Sequence, residues 1–247
     1  MSKENMSEGL NSFMIPGSNY GYTGTSIKSL QSFENTIAIG LVDESASTSY
    51  FRKDLEECTK EIIRSLRDSD HADKLLYAHY HFGSGFREIH GFKEVAQINV
   101  DDYDGCWKSS GSTSLYDSET KVIQYLDDYG DQMRKQHYLC NGLLYVLTDG
   151  MDNTSSLAES AVTNALKTIM MSEGLESFIS ILIGVNEDSH VQKGLEEHAK
   201  KCGFSQYVRV DDASQKSLSK IAGFIQRSIS SQSQMLGSGG PSQLLTF

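Results

Sequence analysis

Residues 37–47 read Ile-Ala-Ile-Gly-Leu-Val-Asp-Glu-Ser-Ala-Ser. The first half is a continuous apolar run of strand length, the pattern of a strand buried on both faces of a parallel sheet. The chain then turns polar at once, with Asp43, Ser45 and Ser47 at alternate positions. This places them in a loop at the strand's carboxyl end, the edge where open α/β sheets bind ligands. A carboxylate and two hydroxyls are hard oxygen donors, suited to Mg²⁺ or Mn²⁺ and not to a soft metal. Taken alone, the motif is a weak signal: Asp and Ser are common loop residues, and capping the helix that follows is the plain explanation.

Two later stretches change that balance. Gly111-Ser112-Thr113-Ser114-Leu115 is a small polar loop opening an amphipathic helix, and it offers a third hydroxyl, Thr113. Residues 143–150, Leu-Leu-Tyr-Val-Leu-Thr-Asp-Gly, form a second buried-strand run that again ends in a carboxylate, Asp149. Three separate loops therefore bring Asp43, Ser45, Ser47, Thr113 and Asp149 to one edge of one sheet.

The ordered pattern Asp-x-Ser-x-Ser, Gly-x-Thr-x-Leu and Leu-Thr-Asp-Gly resembles the von Willebrand factor A (vWA) domain family, over roughly residues 34–230. The resemblance implies a metal-ion-dependent adhesion site (MIDAS) with Asp43, Ser45 and Ser47 from the first loop, Thr113 from the second and Asp149 from the third. Ala46 and Ser112 depart from the family, which more often has Gly at both places; neither change removes a ligand. The implied ion is Mg²⁺, or Mn²⁺ or Ca²⁺. The implied partner is a protein that supplies an acidic residue. Intracellular bacterial or phage-like members work beside MoxR-type ATPases, or in tellurium-resistance (TerY-like) sets with kinases and phosphatases.

Composition narrows the alternatives. The 247 residues suffice for one α/β domain with tails. A net charge of −11 and a pI near 5.1 argue against nucleic acid and anionic membrane surfaces as partners. Cys58, Cys106, Cys140 and Cys202 lie far apart, with no Cys-x-x-Cys pair, so buried free thiols are expected. No signal peptide and no membrane-length apolar run is visible, and a cytoplasmic location is the expectation.

Residues 1–33, rich in Ser, Asn and Gly, read as a flexible arm that Tyr20, Tyr22, Ile27 and Leu30 could dock. Residues 34–230 form the vWA-like domain, and 231–247 a flexible tail. Helices are expected near 50–67, 113–129, 157–172, 191–202 and 214–230, from apolar stripes at helical spacing. Residues 75–82 and 86–92 read as a hairpin across Gly83-Ser84-Gly85. Strand–helix alternation implies a doubly wound, Rossmann-like α/β three-layer sandwich, with a mainly parallel six-stranded sheet and one antiparallel edge strand. The family order is 3-2-1-4-5-6.

Four further features have two readings each. His79 and His81 share a strand face, and with His90 they could bind zinc, or they are hydrogen-bonded strand histidines. Asp101, Asp102 and Asp104 fail the EF-hand spacing and read as an acidic loop bordering the site. Trp107 reads as a core anchor or a contact beside the metal. Asp152 and Asn153 either orient Asp149 or cap the helix at 157–172.

The competing function is a metal-dependent phosphohydrolase or phosphotransferase with Asp43 as nucleophile. The haloacid dehalogenase-like enzymes need a second Asp two residues on, where this chain has Ser45. Gly-x-Gly-x-x-Gly is missing from the first βα loop, and neither a Walker A loop nor a Gly-x-Ser-x-Gly elbow occurs. A non-enzymatic, metal-dependent binding module is therefore the leading expectation.

Overall fold

The computed structural model describes residues 6–186, 188–238 and 243–247, with backbone alone at 237–238. Its strands are β1 (Asn11–Met14), β2 (Gly21–Gly24), β3 (Glu34–Asp43), β4 (Leu75–Phe82), β5 (Phe86–Glu94), β6 (Leu139–Thr148), β7 (Ser177–Val185) and β8 (Gln206–Val210). The helices are α1 (Arg52–Arg67), α2 (Leu115–Arg134), α3 (Glu159–Met171), α4 (Ser189–Cys202) and α5 (Gln215–Ser238).

The run at 37–42 lies in the middle of the sheet. β3 pairs in parallel with β4 on one side and β6 on the other, and β7 and β8 continue the parallel set. β5 returns antiparallel to β4. Alternate residues of β3 enter opposite cores: Ile37, Ile39 and Leu41 pack with α2, α3 and α4, while Ala38 and Val42 pack with α1 and α5. Burial on both faces is why the run shows no alternation. The strand order β5-β4-β3-β6-β7-β8 reproduces the expected 3-2-1-4-5-6.

The full sheet has eight strands, not six. The two extra come from the segment expected to be a flexible arm. β1 and β2 form an antiparallel hairpin, and β2 pairs in parallel with β5 at Gly24 and Phe92. β5 is therefore no longer the sheet edge. An added Cβ at Gly91 would lie 1.7 Å from the Thr23 carbonyl oxygen, so only glycine admits the approach. Aromatic packing holds the arm: Tyr22 lies against Phe92, Tyr125 and Tyr129, and its hydroxyl donates to Asp128 at 2.7 Å. Tyr129 donates to the Thr25 carbonyl at 2.9 Å.

The other tail is corrected too. α5 continues through residues 231–238 rather than stopping at 230. Past Ile229 the helix is held by polar pairs, not by an apolar stripe. Ser233 Oγ donates to Thr36 Oγ1 at 2.8 Å, and Asn141 Nδ2 donates to the Gln232 carbonyl at 2.8 Å. Residues 239–242 lie outside the described residues. Beyond them Leu245 packs on the α1–α5 core, and Phe247 meets Phe224 edge to face. α2 likewise extends to Arg134, five residues past its expected end. All four cysteines are buried free thiols. No helix among the described residues is long and apolar enough to cross a membrane.

Candidate metal centre

The structure brings all five sequence-expected residues together. β3 and β6 are neighbours in parallel, so their carboxyl ends set Asp43 and Asp149 at the same edge. Asp43 is fully buried, and Ser45, Thr113 and Asp149 are 1%, 4% and 6% exposed; Ser47 is open to solvent. Oδ1 of Asp43 accepts the Ser45 amide at 2.7 Å, and Oδ2 accepts the Thr148 hydroxyl at 2.6 Å. The hydroxyls of Ser45 and Ser47 are 3.0 Å apart, and Ser47 donates to Oδ1 of Asp149 at 2.8 Å. Thr113 lies over the third loop: a Cβ built on Gly150 would come within 3.9 Å of its Oγ1.

The electrostatics are unusual for a resting surface. Burial pushes the Asp43 carboxyl up to about 6, against the hydrogen bonds of Ser45 and Thr148, and the Asp149 charge adds to the rise. Burial raises Asp149 as well, opposed by Ser47. Among the described residues, no Lys, Arg or His lies in ion-pair range of either carboxylate. Buried charges without a partner are costly, and two of them side by side more so. The donor set is two carboxylates and three hydroxyls, all oxygen, which fits a hard divalent cation such as Mg²⁺ or Mn²⁺.

Several residues that build this edge were not singled out from sequence. Glu44, between two of the five, is 4% exposed and faces inward. It accepts from Arg87 Nε at 3.2 Å, from the Lys108 amide at 3.1 Å and lies 3.1 Å from His81 Nδ1. Burial raises its carboxyl, but the His81 and Arg87 bonds outweigh that and hold it at about 2. Its carbonyl takes the Ser110 amide at 2.9 Å, and Ala46 donates to the Gly111 carbonyl at 3.1 Å, so the first loop is tied to the second. Asn186 Nδ2 donates to the Asp149 carbonyl and steadies the third.

Asp152 and Asn153 do cap a helix, but not the one expected. Asn153 Oδ1 accepts the Thr113 amide at 2.8 Å, and Asp152 Oδ1 accepts the Tyr116 amide at 3.3 Å. They therefore position Thr113 and the start of α2. In return, Asp117 accepts the amides of Ser156 and Leu157.

His79, His81 and His90 are fully buried and their ring nitrogens are engaged. His79 bonds Tyr77 at 2.7 Å and His81 at 3.0 Å, His81 meets Glu44, and His90 meets the Gly91 carbonyl and the Tyr103 hydroxyl. Burial lowers all three, which keeps the rings neutral, and with their nitrogens taken up by these protein partners they read as hydrogen-bonded core histidines. Trp107 is a core residue, 4.0 Å from the His81 ring. Asp104 turns to Lys60 on α1, and Asp102 accepts from Asn99.

Solved structures share this architecture. Over 86% of the chain, the D319A mutant of the PilB minor pilin from Streptococcus sanguinis superposes with a TM-score of 0.62 at 13% identity. The ArnB paralog VWA2 from Sulfolobus acidocaldarius superposes over 79% at a TM-score of 0.52 and 15% identity. The chain has the von Willebrand factor A fold. Proximal thread matrix protein 1 from the mussel byssus shares the vWA fold with a TM-score of 0.56 over 79% of the chain at 17% identity, in a structure whose MIDAS motif is occupied by zinc. The chain spans 65%, 45% and 48% of the lengths of these three proteins. No protein-family model and no curated protein sequence matches it. At these identities the likeness concerns the vWA fold; the site rests on the residues themselves.

Proposed function

We propose that the chain is a metal-dependent protein-binding module. Asp43, Ser45, Ser47, Thr113 and Asp149 would hold Mg²⁺ or Mn²⁺ as a MIDAS, and a partner's carboxylate would complete the ion's oxygen shell. The observation that carries this reading is the pair of buried carboxylates, Asp43 and Asp149, surrounded by hydroxyls and without a basic partner among the described residues. A divalent cation supplies the missing positive charge. With most of its donors neutral, such an ion keeps its attraction for an incoming acid.

The arrangement favours binding over hydrolysis. A nucleophilic Asp43 needs an exposed oxygen, yet the residue is fully buried and both its oxygens accept hydrogen bonds. Ser47, by contrast, is exposed at the mouth of the site. Tyr50 and Met151 stand out of the first and third loops, 95% and 41% exposed, as apolar contacts for a protein surface.

The test is retention of proteins by the immobilised chain in Mg²⁺ or Mn²⁺ and in EDTA, for the wild type and Thr113→Ala. The reading expects proteins held only by the wild type with metal. The same set held in EDTA and by the variant would contradict it.

A further inference from the structure

Behind the metal edge, helices α2, α3 and α4 meet at a second cluster of different chemistry. His198 and Cys202 stand four residues apart on one face of α4, 5% and 2% exposed. Glu159 is the first residue of α3. Its Oε1 lies 2.9 Å from His198 Nδ1, and Cys202 Sγ lies 3.5 Å from the same nitrogen. One ligand atom from each of the three side chains falls within 4.8 Å of the others. On the far side of the ring, His198 Nε2 is 2.9 Å from Oε2 of Glu119, a fully buried carboxylate on α2. The other oxygen of Glu119 has no hydrogen-bond partner. Tyr116 stacks on the imidazole with ring centroids 5.0 Å apart.

We infer that Glu159, His198 and Cys202 form a second metal site, for Zn²⁺, with Glu119 as the carboxylate that orients the histidine. Zinc takes thiolate, imidazole and carboxylate together, unlike Mg²⁺. Bonds of about 2.3 Å to sulfur and 2.0 Å to nitrogen place those two atoms about 3.5 Å apart around one tetrahedral ion. That is the spacing of Cys202 Sγ and His198 Nδ1. A zinc-binding histidine characteristically donates its other ring N–H to a carboxylate, the relation between His198 Nε2 and Glu119. Binding displaces the proton from Nδ1 and the proton from Sγ; the two charges of the ion, with Lys201 on Oε2 of Glu159, then balance the Cys202 thiolate, Glu159 and Glu119. The side chain of Glu159 is 19% exposed, which opens the site to solvent for entry and for a water in the fourth position. Such an ion would pin α3 to α4 and, through Glu119, brace the helix that begins just after Thr113.

The oxygen cluster at Asp43 can take zinc as well, so the test reads sulfur. Co²⁺ is titrated into the metal-free full chain while thiolate-to-cobalt charge-transfer absorption is followed in the near ultraviolet. The expected result is a band that saturates at one Co²⁺, is displaced by Zn²⁺, survives Asp43→Ala and disappears in Cys202→Ser and His198→Gln. No band in the folded wild type, or an unchanged band in Cys202→Ser, overturns the inference. Zinc-edge X-ray absorption of the wild type decides the matter if a variant fails to fold: a sulfur neighbour is expected, and a shell of only oxygen and nitrogen overturns it.

Discussion

The hydroxyl of Thr148 lies 2.6 Å from Oδ2 of Asp43 and 2.9 Å from the carbonyl of Gly150. It has one proton for two acceptors, and an ionised Asp43 takes it. An asparagine at 43 would keep the Ser45 bond, donate to Thr148 and release the hydroxyl to Gly150. Asp43→Asn therefore removes a buried charge while leaving each group with a partner.

Its consequence for stability follows from sign. The folded carboxyl titrates at about 6 against an ordinary value of 3.8. Folding thus favours the protonated form, and the penalty is absent below pH 3.8, grows through pH 6 and is complete above it. It amounts to about 3 kcal/mol. In EDTA at neutral pH, Asp43→Asn is expected to be more stable than the wild type by up to that amount, measured by urea unfolding. A loss of stability would mean that the carboxylate is not strained in the metal-free chain.

Glu44 has the opposite sign. Its folded carboxyl sits at about 2 against 4.5, so its contribution is complete above pH 4.5 and is lost as the pH falls towards 2. Glu44→Gln would keep one accepting oxygen but remove the charge facing Arg87 and set an amide N–H₂ where the second oxygen takes the Lys108 amide and meets His81, a cost of about 2–3 kcal/mol at neutral pH. The variant should also show a flatter acid limb in a stability–pH profile between 4.5 and 2. Because the Glu44 carboxylate ties the first loop to the amide of residue 108, weaker Mg²⁺ binding is expected as well.

The N-terminal hairpin is part of the folded unit. Tyr22 is 3% exposed among Phe92, Tyr125 and Tyr129. Tyr22→Ala should cost about 3 kcal/mol, and deletion of residues 1–33 should expose that aromatic patch and cause self-association in size-exclusion chromatography. A monomeric truncation of unchanged stability would show the hairpin to be dispensable.

Gly40 tests the packing beneath the site. A Cβ there would lie 2.4 Å from the hydroxyls of both Tyr77 and Tyr145, which are bonded to one another at 2.6 Å. Gly40→Ala is expected to lose about 1–3 kcal/mol through overpacking, with Mg²⁺ affinity reduced because β3 carries Asp43. Thermal melts with and without the ion separate the two effects.

The central sheet and the cluster of acids and hydroxyls at its edge could be read from the chain because both are local patterns. Residues 37–42 and 143–147 are apolar without interruption, and an acid follows each within two positions. The hairpin at 11–24 could not be read that way. Its strands are four residues long, and their stability comes from Phe92, Tyr125 and Tyr129, far away in sequence. The end of α5 was hidden for a related reason: Gln232 and Ser233 are buried by pairing with Asn141 and Thr36, and polar pairing leaves no apolar stripe. His198 and Cys202 do carry a signal, the i, i+4 spacing on a helix, but Glu159 and Glu119 join them only through the packing of three helices.

The most direct test of the metal site is thermal unfolding of the wild type and Asp43→Ala as Mg²⁺ or Mn²⁺ is raised from EDTA. At a hundred times its dissociation constant, an ion that binds only the folded chain adds about 2.7 kcal/mol. In a domain of this size that is roughly 5–10 °C. A saturable rise of that order in the wild type, absent from Asp43→Ala, is the expected result. Equal curves for the two proteins at every metal concentration would contradict a metal site built on Asp43.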